Sequence, residues 1–116
     1  MNQEIAQTWI NAFNTKDIEA LLNLYHSEAI HYSPKLKIAQ PATNGFIKGH
    51  AALREWWQGA FDRIPQLQYQ ATNFILNEQF VFIEYIRQVP GEDDLKVGEV
   101  LEIKNQKIVA SRVYHG

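Results

Sequence analysis

The feature that most limits what this chain can fold into is a change of apolar period part-way along it. Through Ile64 most apolar side chains recur every three or four positions, and from Leu67 onward they mostly alternate. The first spacing lays an apolar stripe along a helix, and the second gives a strand one apolar face. A chain with helices first and strands afterwards buries both surfaces by laying the helices on one face of a bent, antiparallel or mixed sheet. That is an α+β domain.

In the helical half, Ile5, Trp9 and Phe13 recur every four residues with Ala6 and Ile10 beside them, so residues 3 to 13 read as a helix. "NTKD" interrupts it. Thr15 is placed as the next N-cap, with Asp17 and Glu19 suited to the positive end of a second helix. Ile18, Leu21, Leu22 and Tyr25 keep the helical spacing, which puts His26 at that helix's C-terminus. Ile30 to Ser33 reads as a short strand ended by Ser33-Pro34, because proline biases its predecessor away from helix. Residues 35 to 48, with Pro41, Asn44 and Gly45, read as a loop crossing the domain. Gly49 precedes a third helix whose wide apolar face carries Leu53, Trp56, Trp57, Ala60, Phe61 and Ile64, stopped by Pro65.

In the strand half, Leu67, Tyr69 and Ala71 alternate, but Phe74 and Leu76 have the opposite parity, which predicts a bulge near Thr72 and Asn73. "QFVFIEYIRQV" is a strand with "PGEDD" as its turn. "KVGEVLEIK" and "KIVASRVYH" flank Asn105-Gln106, a two-residue hairpin connection. With regular pairing, one face carries Val97, Glu99, Leu101 and Ile103 opposite Tyr114, Arg112, Ala110 and Ile108, and this apolar face turns toward the helices. Val100, Val109 and Val113 then lie outside. Glu99 and Arg112 become cross-strand partners on the core side. A buried ion pair is costly to desolvate, so charges there mark a polar spot in a cavity, and Arg112 would keep Glu99 ionised. Another register, or a pair at the solvated rim, leaves no such spot.

The chain of 116 residues is read as one domain, 1–116, large enough to bury roughly two-thirds of its unfolded surface. A net charge of −2 without a basic run argues against nucleic-acid binding. The lack of cysteine excludes disulfides, thiol catalysis and thiolate metal sites. Neither a signal-peptide pattern nor an apolar run near the ~18 residues of a membrane span is present, so a cytoplasmic protein is expected, away from membranes. Three Trp, five Tyr and six Phe are enough to line a cavity as well as fill a core. His26, Glu28 and His31 lack the spacing that would put two imidazoles on one helix face. Neither a metal site nor a cofactor motif is read.

Three segments in order, "WINAFNTKDIEALLNLYHSEAIHYSP", "GFIKGHAALREWW" and "KIVASRVYHG", resemble the nuclear transport factor 2-like superfamily, most closely its SnoaL-like branch of polyketide cyclases and ketosteroid isomerases. The resemblance covers nearly the whole chain. It rests on the Asn-x-x-Asp turn at Asn14, the strand ending in proline, the glycine before the third helix, and Lys-Ile-x-x-x-Arg-x-Tyr from Lys107. It implies a cone, the cystatin-like fold, in which a curved sheet wraps around helices and an apolar pocket opens at one end; dimers are common. It also implies three functional positions. The ketosteroid isomerase base, an Asp before that proline, is Ser33 here, which cannot take a proton near neutral pH without a partner base. The tyrosine donor falls at Trp9, and the neutral acid donor at Glu99. A standard ketosteroid isomerase is therefore not expected.

The same resemblance turns Ser33 toward the pocket, and alternation carries His31 with it. The candidate catalytic set is His31 as general acid or base, with Glu99 and Arg112 ordering water or binding developing charge. His31 satisfied by backbone or solvent is the plainer alternative. Trp9, Phe13, Ser33, Trp56, Leu101 and Tyr114 are the candidate contacts to a small apolar ligand. His50, at a helix start, and His115, at the chain end, are left out. Three functions fit: an acid–base enzyme of isomerase, cyclase or hydrolase type acting on an apolar carbonyl-bearing or hydroxylated molecule; a binding module using the same pocket; or a homodimeric interaction domain joined through Val100, Val109 and Val113.

Overall fold

The computed structural model describes residues 2–115. Helices α1 (Asn2–Thr15) and α2 (Ile18–Asn23) are followed by strand β1 (Tyr25–Tyr32), helix α3 (Pro34–Ala39), a 3-10 turn (Pro41–Thr43), β2 (Phe46–Lys48) and α4 (His50–Arg63). Four strands complete the chain: β3 (Gln68–Leu76), β4 (Phe80–Gln88), β5 (Leu95–Lys104) and β6 (Lys107–His115). The sheet order is β2-β1-β6-β5-β4-β3. β1 and β6 pair in parallel and every other neighbour is antiparallel, so the fold is the expected α+β cone with a curved mixed sheet. No helix among the described residues is long and apolar enough to cross a membrane.

The α1 stripe of Ala6, Trp9, Ile10, Ala12 and Phe13 is buried. Thr15 is not the next cap: it remains in α1, where its hydroxyl donates to the Asn11 carbonyl at 2.8 Å. Asp17 caps α2, accepting from the Ala20 N–H at 3.1 Å. Tyr25 opens β1 instead of continuing α2. His26 is therefore a strand residue, its Nδ1 accepting from the Glu28 N–H at 3.0 Å.

Residues 35 to 48 are not a loop. The Ser33 hydroxyl accepts from the Lys35 N–H at 3.3 Å, and Pro34 takes the first turn of α3, where its missing N–H costs nothing. The same Ser-Pro pair that stops the strand starts a helix. Asn44 (φ 58°) and Gly45 (φ 87°) then reverse the chain so that β2 returns onto β1.

The bulge in β3 falls between Ala71 and Asn73, as the parity change predicts. The last hairpin turns at Asn105 and Gln106, with φ of 51° and 65°, the left-handed pair of a two-residue hairpin turn. Its register then departs from regular pairing. Ile103 faces Ile108 but Glu102 faces Ala110, so the strand bulges at Val109. One extra residue flips every later side chain to the other face. Ser111 and Val113 turn inward, while Arg112 and Tyr114 turn outward.

Candidate functional site

Between α1, α4 and the concave face of the sheet lies a cavity of about 240 Å³. Trp9 and Phe13 enter it from α1, Trp56 and Trp57 from α4, and Tyr69, Tyr85 and Glu99 from the sheet. The aromatic wall is continuous: Trp9 and Phe13 centroids are 4.5 Å apart, Phe13 and Tyr69 4.9 Å, and Tyr69 and Tyr85 4.2 Å in a stacked pair.

A buried chain of hydrogen bonds runs along one side. The Trp9 indole N–H donates to the Tyr25 hydroxyl at 3.1 Å, the Tyr25 hydroxyl donates to Ser111 Oγ at 3.0 Å, and Ser111 Oγ lies 2.7 Å from His31 Nδ1. Indole is a donor only, so the Tyr25 oxygen accepts there and its proton goes to Ser111. For the Ser111 proton, Nδ1 is then the one acceptor left among its described side-chain partners. His31 therefore accepts at Nδ1 and carries its hydrogen on Nε2, which makes no hydrogen bond to another described residue. Protonating Nδ1 would strand the Ser111 hydroxyl proton. Burial acts in the same direction, holding the His31 pKa down at about 3. His31 is a neutral donor rather than a base.

Glu99 is 1% exposed. Its Oε1 accepts from the Tyr85 hydroxyl at 3.2 Å, and its Oε2 has no partner among the described residues. Burial pushes its pKa well above the carboxylate range, against the smaller opposing effect of the Tyr85 hydrogen bond. That shift favours the neutral carboxyl. With Oε1 accepting from Tyr85, a neutral Glu99 has its own proton to give from Oε2. Burial likewise raises Tyr25, Tyr69 and Tyr85, so none of these phenols is a base.

Of the residues singled out from sequence, Trp9, Phe13, His31, Ser33, Trp56 and Glu99 meet at this cavity. Three do not. Arg112 does not face Glu99; beyond the Val109 bulge it lies outside, donating to Glu102 Oε2 at 2.5 Å. Tyr114 is outside for the same reason and 52% exposed. Leu101 is fully buried in the core beneath the sheet and does not line the cavity. Val113, read as outer, packs inside. His115, set aside for its position, lines the cavity with Lys35, Arg63 and Arg87. Arg87 shares the inward parity of Val81, Ile83 and Tyr85, and a charge on an apolar face was the signal that could have found it. Among the described residues, no three His, Asp or Glu side chains gather as a metal would require.

Residues 6–111 match the SnoaL-like domain family. No curated protein matches the chain. Among solved structures, a SnoaL-like protein of unknown function from Burkholderia thailandensis is 24% identical with a TM-score of 0.85, covering 98% of this chain and 93% of its own. A candidate polyketide cyclase from Sinorhizobium meliloti is 14% identical (TM-score 0.79; 96% and 94% covered). A candidate ketosteroid isomerase from Kribbella flavida is 15% identical (TM-score 0.79; 97% and 76% covered). At these identities the likeness is one of fold.

Proposed function

The chain belongs to the SnoaL-like domain family, and from that premise we propose that it binds a small, flat carbonyl compound and polarises its oxygen, as an isomerase- or cyclase-type enzyme working through neutral acid donors. The observation that carries this reading is the buried Glu99 carboxyl, with Oε2 unpartnered among the described residues, at an aromatic-walled cavity. An unpartnered buried polar group is costly, and a ligand oxygen relieves that cost. His31 Nε2–H is the second donor. When a proton leaves the carbon beside the carbonyl, or a ring closes there, negative charge grows on the oxygen and both hydrogen bonds strengthen. Donors fixed in advance in a site of low dielectric stabilise such charge most.

No carboxylate stands at Ser33, and burial holds both His31 and Glu99 toward their neutral forms. The acidic C–H of the substrate is then one that a weak base, water or the His115 imidazole of the lining, can deprotonate, as in a 1,3-dicarbonyl compound. The lack of an ionised base among the lining residues also favours a second reading, a pocket that binds without turnover. One experiment separates them: tryptophan fluorescence titration with cyclic 1,3-diketones and naphthols, paired with NMR of diketone C–H exchange in deuterium oxide. Binding with accelerated exchange, lost in Glu99→Leu and retained in Glu99→Gln, supports catalysis. Saturable binding without acceleration supports the binding module. Absence of both sinks the pocket reading.

The proposed assembly is a homodimer through the outer sheet face, where Val100 and Val109 are joined by half-exposed Tyr114 rather than by Val113. Sedimentation velocity at micromolar concentration should show a single dimeric species, and a strict monomer rejects it.

A further inference from the structure

The cavity is electrically lopsided. Lys35, Arg63, Arg87 and His115 line it, and its one acidic lining residue is the buried Glu99, whose ionisation burial opposes. The chain as a whole is acidic, with a net charge of −2, so this basic group is a local concentration. Arg87 is its buried member, 9% exposed. It meets Glu92 through Nη1 alone, at 3.2 Å, and that carboxylate is itself 56% exposed. Nε and Nη2 of Arg87 make no hydrogen bond among the described residues. Buried arginine is rare unless fully paired, and a half-used guanidinium keeps the planar fork that binds a second carboxylate with two N–H groups. Lys35 is close enough for repulsion to act between them: its pKa is lowered by burial first and by Arg87 next, with Glu92 acting in the opposite direction. His115 is lowered by burial and then by Lys35 and Arg87. The three form one cluster.

We infer that the ligand of this cavity is a small cyclic or aryl keto acid, whose carboxylate pairs with Arg87 and Lys35 while its carbonyl oxygen reaches Glu99. This rests on the pocket reading above and narrows its substrate class. The aromatic wall takes the flat ring, the Glu99 and His31 donors take the neutral oxygen, and the half-used Arg87 guanidinium with Lys35 takes the acid.

The test compares 4-acetylbenzoate with 4-acetylbenzamide, two probes of nearly one shape that differ in charge, by fluorescence titration at low salt. The acid should bind about tenfold more tightly, the scale of one charge-assisted hydrogen bond. Arg87→Gln should bring the two within about threefold, the acid losing more affinity than the amide. Because that variant disturbs a buried group, Glu92→Gln provides the second arm at an exposed site. Removing the competing carboxylate frees Arg87, and affinity for the acid should rise by about threefold. Equal binding of acid and amide by the native protein, or a preference that survives Arg87→Gln with no gain in Glu92→Gln, overturns the inference and leaves the pocket reading standing. Binding of neither probe overturns both.

Discussion

Trp9 can only donate a hydrogen bond, and that one property orients three other residues as far away as Ser111. Replacing Ser111 by alanine removes both the acceptor for the Tyr25 hydroxyl and the donor to His31 Nδ1, leaving two buried groups unpaired. Each is worth on the order of 1 kcal/mol or more, so urea denaturation of Ser111→Ala should show a loss of about 2 to 3 kcal/mol. The tautomer is the sharper readout. Long-range nitrogen-15 correlation spectra of the native protein should show His31 protonated on Nε2 alone, and Ser111→Ala should show a mixture. A native spectrum with the proton on Nδ1 would contradict the polarity argued from the indole. The inward aim of His31 and Ser33 was legible from alternation together with the family resemblance. The partners were not, since Ser111 is 80 residues from His31 and faces inward only because of a bulge.

At the level of elements, two bulges show what a sequence can and cannot reveal. Between Ala71 and Asn73 the apolar parity changes across a polar pair, so the defect leaves a mark in the letters. At "IVAS", from Ile108 to Ser111, small and apolar residues sit side by side, and either register is equally apolar. The shift there erased the expected Glu99–Arg112 pair and with it the argument for an ionised Glu99. Helix α3 was hidden for another reason: Ser-Pro signals a strand stop and a helix start equally well. The β1–β2 return can be tested directly. Gly45 has φ of +87°, and a Cβ there would sit 2.7 Å from Cε1 of Tyr32. Gly45→Ala should cost about 2 to 3 kcal/mol, from left-handed strain of roughly 1 to 2 kcal/mol plus the clash. In a double-mutant cycle with Tyr32→Ala, only the clash portion should be recovered. Full additivity would mean that backbone strain and the Ser33 carbonyl, 3.2 Å from the added Cβ, hold that glycine in place without Tyr32.

For the molecule as a whole, the two neutral site residues set opposing slopes of stability against pH. His31 has its folded pKa at about 3, below its ordinary 6.5. Between those values the unfolded chain holds a proton that the folded chain lacks, so stability is full above 6.5 and falls as the pH drops. His115 is shifted in the same direction, but it lies at the cavity mouth, where solvent weakens its contribution. Glu99 has its folded pKa well above its ordinary 4.5, so the folded chain keeps a proton that the unfolded chain has lost. Its contribution is full below 4.5 and declines as the pH rises. Below 4.5 His31 acts alone, and from 4.5 to 6.5 the two slopes oppose each other for as long as the folded Glu99 keeps its proton. The proposed donor role requires that proton to be kept above 6.5, and stability should then be flat near pH 5.5 and fall on both sides, by up to about 1.4 kcal/mol per pH unit. Urea titrations at pH 4, 5.5, 7 and 8.5 would trace this profile, and the point where the alkaline limb levels off reports the folded pKa of Glu99. Glu99→Gln, which cannot ionise in either state, should lose the alkaline limb and keep the acid one. If instead the native protein stays flat from pH 6.5 to 8.5, Glu99 is ionised in the fold, Oε2 has no proton to give, and the carbonyl-polarising role fails with it.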